Sequence, residues 1–262
     1  METTNACSCV QDIAKAFVNL KEREAEHDLA ELYQTSLMSA LIDGVYEGNM
    51  TIADLLEHGD FGLGTFNDLD GELVAFDREV HQLREDGSAR VASMDQKTPF
   101  AVMTNFRPTM SGQLTTTLDK VDIQKLIDKL VDSPNLFCAF RIDGRFERVV
   151  TRTVPRQTKP YRPMLKAIER QPTYTFEDTV GTMVGFRCPA YVQGINVAGF
   201  HVHYITEDRR GGGHVLDYRL LEGLLQLAKI STLRIELPQT EHFHQATLHS
   251  EEISKAIEAA EG

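Results

Sequence analysis

Residues 199–218 read GFHVHYITEDRRGGGHVLDY, two runs of alternating side chains joined by a charged connection that ends in glycines. The alternation predicts two β-strands, because successive side chains of a strand point to opposite faces. The three glycines at 211–213 predict a hairpin tip, which returns the second strand to the side of the first. This stretch therefore predicts an antiparallel, β-rich structure around it.

Three histidines lie in this predicted hairpin. His201 and His203 are two residues apart and share one face of the first strand, and His214 stands at the head of the returning strand. Three converging imidazoles that leave room for an exchangeable ligand are typical of a catalytic zinc site. The absence of sulfur ligands nearby favours zinc or a similar divalent metal over an iron–sulfur centre. The alternative is that these are surface histidines on the polar face of a hairpin.

A second His-x-His sequence, His242 and His244 with His249, serves as an internal comparison. It follows Pro238 in a polar stretch that has neither strand-like alternation nor a returning hairpin. We therefore do not expect this second set to bind a metal.

Upstream of the hairpin, short β-like runs are separated by Asp-Gly turns. These turns are predicted at Asp70-Gly71, Asp86-Gly87 and Asp143-Gly144. The first two connect a predicted meander, and the third separates two later strands. The predicted strands in this half are 62–66, 72–76, 80–83, 89–92, 99–106, 136–142 and 146–154.

Helices are predicted at both ends of the chain and at two internal places. Residues 1–35 are predicted to form a helical N-terminal extension, because a capping pattern at Ser8 precedes apolar residues at helical spacing. Thr51 and Asp54 give a capping pattern for a short helix at 51–58. The other predicted helices are 120–130 and the tail 250–262.

Four prolines punctuate the middle of the chain and predict a crossing between two β-rich halves. They are Pro155, Pro160, Pro163 and Pro172, and we place the boundary near Gln171. The predicted fold class is α+β, with an N-terminal extension (1–35), an N-terminal half (36–171) and a C-terminal half (172–262). The last half contains predicted strands at 173–176, 183–187, 199–206, 214–220, 223–229 and 232–236.

The charge balance and the cysteines limit the possible partners and compartments. With 27 Lys and Arg against 39 Asp and Glu, the formal charge of −12 disfavours binding to a nucleic-acid backbone. No stretch approaches the roughly 20 apolar residues of a membrane span, and the start resembles no secretory signal. These features predict a soluble, cytoplasmic protein.

The four cysteines fall into two groups. Cys138 and Cys188 are interpreted as core residues. Cys7 and Cys9 are too close for an ordinary disulfide with each other, and metal binding is their alternative role.

Two charged side chains are predicted to point inward. Glu72 shares a strand face with apolar neighbours at 74 and 76, and Arg152 does the same with Val150 and Val154. An inward guanidinium can pair with Glu72 or hold a substrate carboxylate. The alternatives are a purely structural ion pair and edge-strand charges that face water. In the tail, Glu261 extends the apolar stripe of the last helix four residues after Ile257, which allows an inward carboxylate.

Several long stretches resemble the bacterial alpha-acetolactate decarboxylase family. They are GDFGLGTFNDLDGEL (59–73), KTPFAV (97–102), TRTVPRQ (151–157), and GINVAGFHVH (194–203) followed by GGGHVLDY (211–218). The resemblance begins at Leu37 and continues to the end of the chain, in the family's order. Only the N-terminal extension falls outside it.

The resemblance implies a site, a fold and an assembly. The family's zinc ligands fall on His201, His203 and His214, its active-site glutamate and arginine on Glu72 and Arg152, and a threonine lining the site on Thr65. A glutamate of the C-terminal tail also reaches the family's metal centre, where Glu261 is the best match and Glu258 is the rival. The implied fold has an N-terminal mixed sheet with helices and a C-terminal antiparallel, β-barrel-like domain with a helical tail, usually in a homodimer.

The implied reaction is zinc-dependent decarboxylation of a 2-hydroxy-3-keto acid, (S)-2-acetolactate, to (R)-acetoin and CO₂, as in butanediol fermentation. Zinc as a Lewis acid stabilises an enediolate, Arg152 orients the carboxylate, and Glu72 or Glu261 delivers the proton. Neither nucleic acid nor membrane is an expected partner. Two alternatives are another three-histidine metalloenzyme, such as a hydrolase or an oxygenase, and a non-catalytic binding module on the same fold.

Overall fold

A computed structural model describes most of the chain, and strands dominate it. It describes residues 10, 12–20, 30–169, 171–248, 255–257 and 259. Among its named elements are the helices α1 (Met38–Ile42), α2 (Ile52–Leu55), α3 (Lys120–Val131), α4 (Met164–Ala167) and α5 (Glu241–Gln245). The fold is therefore mixed α+β with few helices. No helix among the described residues is long and apolar enough to cross a bilayer.

One sheet, here called the long-strand sheet, is built around three long strands. Its members are β1 (Val18–Asn19), β10 (Met110–Leu114), β11 (Leu118–Asp119), β12 (Phe137–Arg152), β13 (Thr173–Cys188), β14 (Gly199–Thr206) and β15 (Gly212–Ile230). All its pairings are antiparallel, in the order β1-β10-β15-β12-β13-β14, and β11 also pairs with β15. Strand β14 pairs both with β13 and with the start of β15. Since β12 also pairs with both β13 and β15, each of the four strands β12 to β15 pairs with two of the others.

The other large sheet, the short-strand sheet, contains the predicted meander. Its members are β2 (Glu31–Thr35), β4 (Phe61–Thr65), β5 (Glu72–Phe76), β6 (Glu79–Leu83), β7 (Ala89–Val91), β9 (Ala101–Thr104) and β16 (Thr232–Glu236). The order is β16-β2-β9-β4-β5-β6-β7, with antiparallel pairing except between β16 and β2. Strands β3 (Met50–Thr51) and β8 (Lys97–Thr98) form a separate pair. The consecutive pairing from β4 to β7 confirms the predicted meander.

Several sequence predictions are wrong because pairing partners decide the local structure. Residues 31–35, predicted as helix, form β2 between β16 and β9. Strand β16, assigned to the C-terminal half, pairs in parallel with β2 in the short-strand sheet. The boundary near Gln171 lies between β12 and β13, which pair along nearly their whole length. The division between the two sheets therefore does not follow the predicted halves.

The predicted turn at Asp143-Gly144 is also wrong, because β12 runs straight through it. Gly144 lies opposite Gly181 of β13 and Gly223 of β15, so glycines of three adjacent strands share one register. A Cβ at Gly144 would lie 2.6 Å from the backbone oxygen of Glu222. Glycine here permits close approach of neighbouring strands and does not mark a chain reversal.

Two apolar clusters hold the layers together. The first joins the facing surfaces of the two sheets, with Leu63 and Val74 on one side and Val184 and Phe186 on the other. The second packs α3 against the opposite face of the long-strand sheet through its buried residues, including Ile127. Burial of these side chains is the main stabilising term. Cys138 and Cys188 are buried and free, as expected, and Cys7 and Cys9 lie outside the described residues.

Two of the predicted helices, at 51–58 and in the tail, are present as short pieces. Thr51 is the N-cap of α2 and forms the predicted capping box with Asp54, the third residue of the helix. In the tail, residues 255–257 and 259 are helical, with Ala256 and Ile257 buried in the cluster between the sheets. The inward stripe of the predicted tail helix is confirmed at these two residues.

Candidate metal centre and active-site pocket

The β14 and β15 hairpin places the three predicted histidines together. His203 lies directly opposite His214 in the pairing of the two strands. The chain reverses at residues 207–210, before the glycines predicted as the tip, and Gly212 and Gly213 belong to β15. A Cβ at Gly213 would lie 2.6 Å from the backbone oxygen of Arg152. These glycines therefore let the start of β15 fit between β12 and β14, which carries His214 to the pair.

The three imidazoles converge in the protein interior. Their ring centroids are 5.1 Å apart for His201 and His203, 5.0 Å for His201 and His214, and 5.5 Å for His203 and His214. One possible ligand atom from each ring lies within 4.8 Å of the others, and their exposed fractions are 5, 0 and 2%. The predicted convergence is confirmed, and the alternative of surface histidines is wrong.

The protonation state of the cluster suits metal binding. The Nδ1 of His203 lies 2.7 Å from the backbone oxygen of Leu73, and since a carbonyl only accepts, Nδ1 carries the proton. The Nε2 of His203 is buried and forms no hydrogen bond with any described residue. An imidazole whose other nitrogen is fixed by a carbonyl is the usual form of a metal-ligating histidine.

Burial also keeps the imidazoles neutral. Desolvation, aided by the positive charge of Arg152, lowers the pKa of His201 to about 3. Desolvation lowers the pKa of His203 and His214 well below the usual value, and the neighbouring charges act in the same direction. Neutral imidazole is the form that binds metal. A set of three neutral imidazoles therefore fits a zinc ion with a position left for a further ligand.

Glu72 and Arg152 flank the histidines from two different sheets. Glu72 opens β5, and its Oε2 lies 3.7 Å from the Nε2 of His203. Arg152 ends β12 opposite His214, is 1% exposed, and its Nη1 lies 3.5 Å from the Oε1 of Glu72. Both side chains are buried, as their strand alternation predicts, so they do not face water. A buried pair of opposite charge thus stands beside the imidazole cluster.

A small pocket opens onto this group. It is lined by Thr65, Glu72 and His201 together with apolar side chains. Thr65 lies opposite Glu72 in the pairing of β4 and β5, and its hydroxyl donates to the oxygen of Gly71 at 2.8 Å. The hydroxyl oxygen keeps its acceptor capacity for a ligand. The apolar lining residues, which sequence reasoning missed, are Met38, Leu41, Leu69, Phe100, Val154 and Met164.

The remaining candidate residues are the two tail glutamates and the second histidine set. Glu258 and Glu261 lie outside the described residues. Residues Ala256 and Ile257 share a buried cluster with Met38 and Met164 of the pocket wall, so the described part of the tail belongs to that layer. His242 and His244 are exposed on α5, and His249 lies outside the described residues. In the described part of the chain, the cluster at 201, 203 and 214 is the only group of metal-ligating side chains.

A buried imidazole cluster beside a charged pair and a small pocket is typical of metal-dependent enzymes. Comparison with known proteins narrows this class. The profile of the alpha-acetolactate decarboxylase family matches residues 32–250. The alpha-acetolactate decarboxylase of Raoultella terrigena is 53% identical, covering 97% of each chain, and that of Klebsiella aerogenes is 52% identical, covering 100% of this chain and 99% of the relative.

Solved structures agree with the sequence comparison. The crystal structure of alpha-acetolactate decarboxylase from Bacillus subtilis strain 168 superposes with a TM-score of 0.87 at 43% identity, covering 88% of this chain and 99% of that one. The chain belongs to the alpha-acetolactate decarboxylase family. The resemblance drawn from the sequence is thus confirmed.

Proposed function

We propose that the protein is an acetolactate decarboxylase, which converts (S)-2-acetolactate into (R)-acetoin and CO₂ at a zinc ion bound by His201, His203 and His214. Family membership supports the reaction. The observation that carries the proposal is the buried convergence of three imidazoles beside Glu72 and Arg152. Their neutrality and the fixed tautomer of His203 support a metal ligand role.

The reaction breaks the bond between the carboxylate carbon and C2, and one proton is added to C2. The electron pair of the broken bond moves toward the neighbouring ketone, so negative charge develops on an oxygen. A bound zinc ion supplies a Lewis acid that stabilises this charge. One proton is consumed and one CO₂ is released in each turnover.

Arg152 is proposed to bind the substrate carboxylate. Its guanidinium is buried at the end of β12, where a permanent positive charge meets an anionic ligand in a region of low dielectric. A guanidinium can donate two parallel hydrogen bonds to a carboxylate and thereby fixes its orientation. This local charge also answers how a chain with a formal charge of −12 holds an anionic substrate.

A glutamate is proposed to deliver the proton to C2. Glu72 is the first candidate, because its carboxyl group lines the pocket and lies beside His203. Glu261 of the tail is the second candidate, with Glu258 as its rival. A proton delivered from one fixed side chain reaches one face of the planar intermediate, which accounts for a single enantiomer of acetoin. Thr65 is proposed to contact the substrate through its acceptor oxygen.

The function is tested by supplying racemic 2-acetolactate to the metal-replete protein. We expect CO₂ and acetoin mole for mole, one enantiomer of acetoin, and one zinc per chain by elemental analysis. Chelation should remove the metal and the activity together, and zinc should restore both. Acetoin formed no faster than by spontaneous decarboxylation would contradict the reaction, and a metal content well below one per chain would contradict the ligand set.

The identity of the proton donor is tested separately. Glu72→Gln, Glu261→Gln and Glu258→Gln are compared by the enantiomeric purity of acetoin formed in the metal-loaded enzyme. The variant that lacks the donor should lose both rate and stereochemical purity, whereas the other two should keep the purity. A homodimer, which the family resemblance implies, is also part of the proposal, and sedimentation equilibrium of the full chain measures it.

A further inference from the structure

The turn between β4 and β5 holds two residues in an unusual backbone conformation. Asp68 has φ +63° and Leu69 has φ +52°, and neither is glycine. Aspartate tolerates the left-handed region, but a leucine there is a real outlier, because its Cβ crowds the backbone. Such conformations persist where the surroundings impose them, and they concentrate at functional sites.

The side chain of Leu69 explains what this conformation achieves. It is fully buried and lines the pocket together with Glu72 and His201. Glycine at this position would relax the backbone but would leave the pocket without that wall. The turn therefore carries a strained residue whose side chain faces the proposed site of reaction.

Asp68 is bonded through every polar group it has. Its N–H donates to the oxygen of Tyr46 at 2.8 Å, and its carbonyl accepts from the N–H of Gln157 at 2.7 Å. One carboxylate oxygen accepts from the Tyr161 hydroxyl, and the other accepts from Nη2 of Arg156 at 2.7 Å. These partners come from two segments distant in sequence, so Asp68 fixes the turn against both.

One of these two segments, residues 154–164, also forms part of the pocket wall. Val154 and Met164, which line it, stand at the two ends of the segment that carries three of the Asp68 partners. The hydroxyl of Tyr46 donates to the oxygen of Arg162 at 2.7 Å, so the two segments are also bonded to each other. Release of Asp68 would loosen Leu69 and the 154–164 segment together.

We propose that Asp68 is a positioning residue for the decarboxylation, which holds Leu69 and the 154–164 segment as the apolar wall against the alkyl groups of the substrate. The inference rests on the proposed function. Acetolactate carries one methyl group on its ketone carbon and one on C2, and a close apolar wall fixes both and excludes water from C2 while the carboxylate leaves. The wall also limits the size of the alkyl group on C2.

The test compares Asp68→Ala and Asp68→Asn with the wild type on 2-acetolactate and on its ethyl homologue, 2-aceto-2-hydroxybutyrate. For Asp68→Ala we expect kcat/KM for acetolactate to fall about tenfold, since small displacements of a bound reactant have effects of this size or larger. The kcat/KM for acetolactate divided by that for the ethyl homologue should fall at least about threefold, because a looser wall admits the extra methylene. Asparagine also tolerates the left-handed region, so the substrate ratio of Asp68→Asn should lie between those of the wild type and Asp68→Ala.

A matched control exists on the surface of the long-strand sheet. Asp178 is also left-handed, with φ +45°, and also pairs with an arginine, Arg145, at 2.7 Å. Asp178→Ala should leave the substrate ratio unchanged. Zinc content should stay at one per chain in all variants, because Asp68 contacts none of the histidines.

The outcomes separate this inference from the proposed function. A wild type that forms no acetoin contradicts the proposed function, irrespective of Asp68. An active wild type with an unchanged substrate ratio in Asp68→Ala overturns the positioning role, as does an equal change in Asp178→Ala. If Asp68→Ala does not fold, Tyr161→Phe removes one bond to the carboxylate, and an unchanged ratio in that variant and in Asp68→Asn overturns the inference.

Discussion

The β14 and β15 hairpin and helix α5 each carry two histidines separated by one residue, but they place them in opposite ways. On β14 the two imidazoles share a face and lie 5.1 Å apart in the interior, where His214 joins them. On α5 the two histidines flank a buried Phe243 and are exposed. Residues two apart on a helix do not share a face. The same spacing therefore makes a ligand set only where the backbone is extended and a third ligand returns beside it.

The largest effect that separates the two regions is metal loss. His201→Ala or His214→Ala should lose bound zinc, and turnover should fall on the order of 10³-fold, as when a charge-stabilising group is removed. His242→Ala and His244→Ala, with the same spacing, should keep the metal and full activity. Elemental analysis and steady-state turnover measure both. Full zinc in the His201 or His214 variants would refute the ligand assignment, and lost metal in the α5 variants would refute the contrast.

Substitution of Arg152, which ends β12 beside the hairpin, tests whether metal binding and substrate binding depend on different residues. Arg152→Ala should keep one zinc per chain while kcat/KM falls about 10²-fold, because a charged hydrogen-bonding group has been removed from a buried site. Arg152→Lys retains the charge without the planar fork and should recover part of the loss. Arg148→Ala, on the exposed part of the same strand, is the control and should be close to wild type. Loss of zinc in Arg152→Ala would instead make the arginine a support of the metal centre.

Local sequence patterns predicted the parts of the molecule that depend on local geometry. Alternation in β14 placed His201 and His203 on one face, and Asp70-Gly71 and Asp86-Gly87 marked real turns with Gly71 at φ +87° and Gly87 at φ +79°. The same dipeptide at Asp143-Gly144 wrongly predicted a turn, because glycine is needed there for the close approach of the neighbouring strands. The Asp-Gly dipeptide alone does not distinguish a chain reversal from a site where neighbouring strands approach closely.

The pocket wall was beyond the reach of sequence patterns for a related reason. Leu69 lies in a turn, Met38 begins α1, and Met164 begins α4, and each resembles an ordinary core residue. The packing of the two sheets brings these separate segments to one pocket, and the bonds of Asp68 hold the turn that carries Leu69. Likewise, the capping pattern at Ser8 predicted a helix up to residue 35, but residues 31–35 form strand β2, whose parallel partner β16 lies some two hundred residues further along the chain.

A smaller effect is expected from Gly213, which lets the start of β15 fit between β12 and β14 and so brings His214 to the other two imidazoles. Gly213→Ala places a Cβ 2.6 Å from the backbone oxygen of Arg152, and backbone cannot move aside as a side chain can. The free energy of unfolding should fall by about 1–3 kcal/mol through overpacking. Gly194→Ala is the matched control: its Cβ would meet nothing within 4 Å, so only its φ of +93° opposes the change. Urea denaturation measures both losses, and an unchanged free energy of unfolding in Gly213→Ala would argue against close approach.

His81 provides the mildest test of the comparison, since it is buried like the hairpin histidines but none of the other described histidines lies beside it. It lies on β6 with its Nε2 3.4 Å from the Oε2 of Glu79, and neither ring nitrogen forms a hydrogen bond with a described residue. Burial lowers its pKa, although Glu79 acts in the opposite direction. The unfolded chain therefore binds a proton below pH 6.5 before the folded chain does, and stability falls with falling pH in that range.

Replacement of His81 by phenylalanine isolates this contribution. The group no longer titrates, so the loss of stability between pH 7 and pH 5 should be smaller than in the wild type. The His244→Phe variant is the control, because its side chain is exposed on α5. Urea midpoints of the metal-free proteins at the two pH values measure the difference. A wild-type slope in His81→Phe would mean that the isolated imidazole is protonated within the fold, and that burial alone does not keep a histidine neutral here.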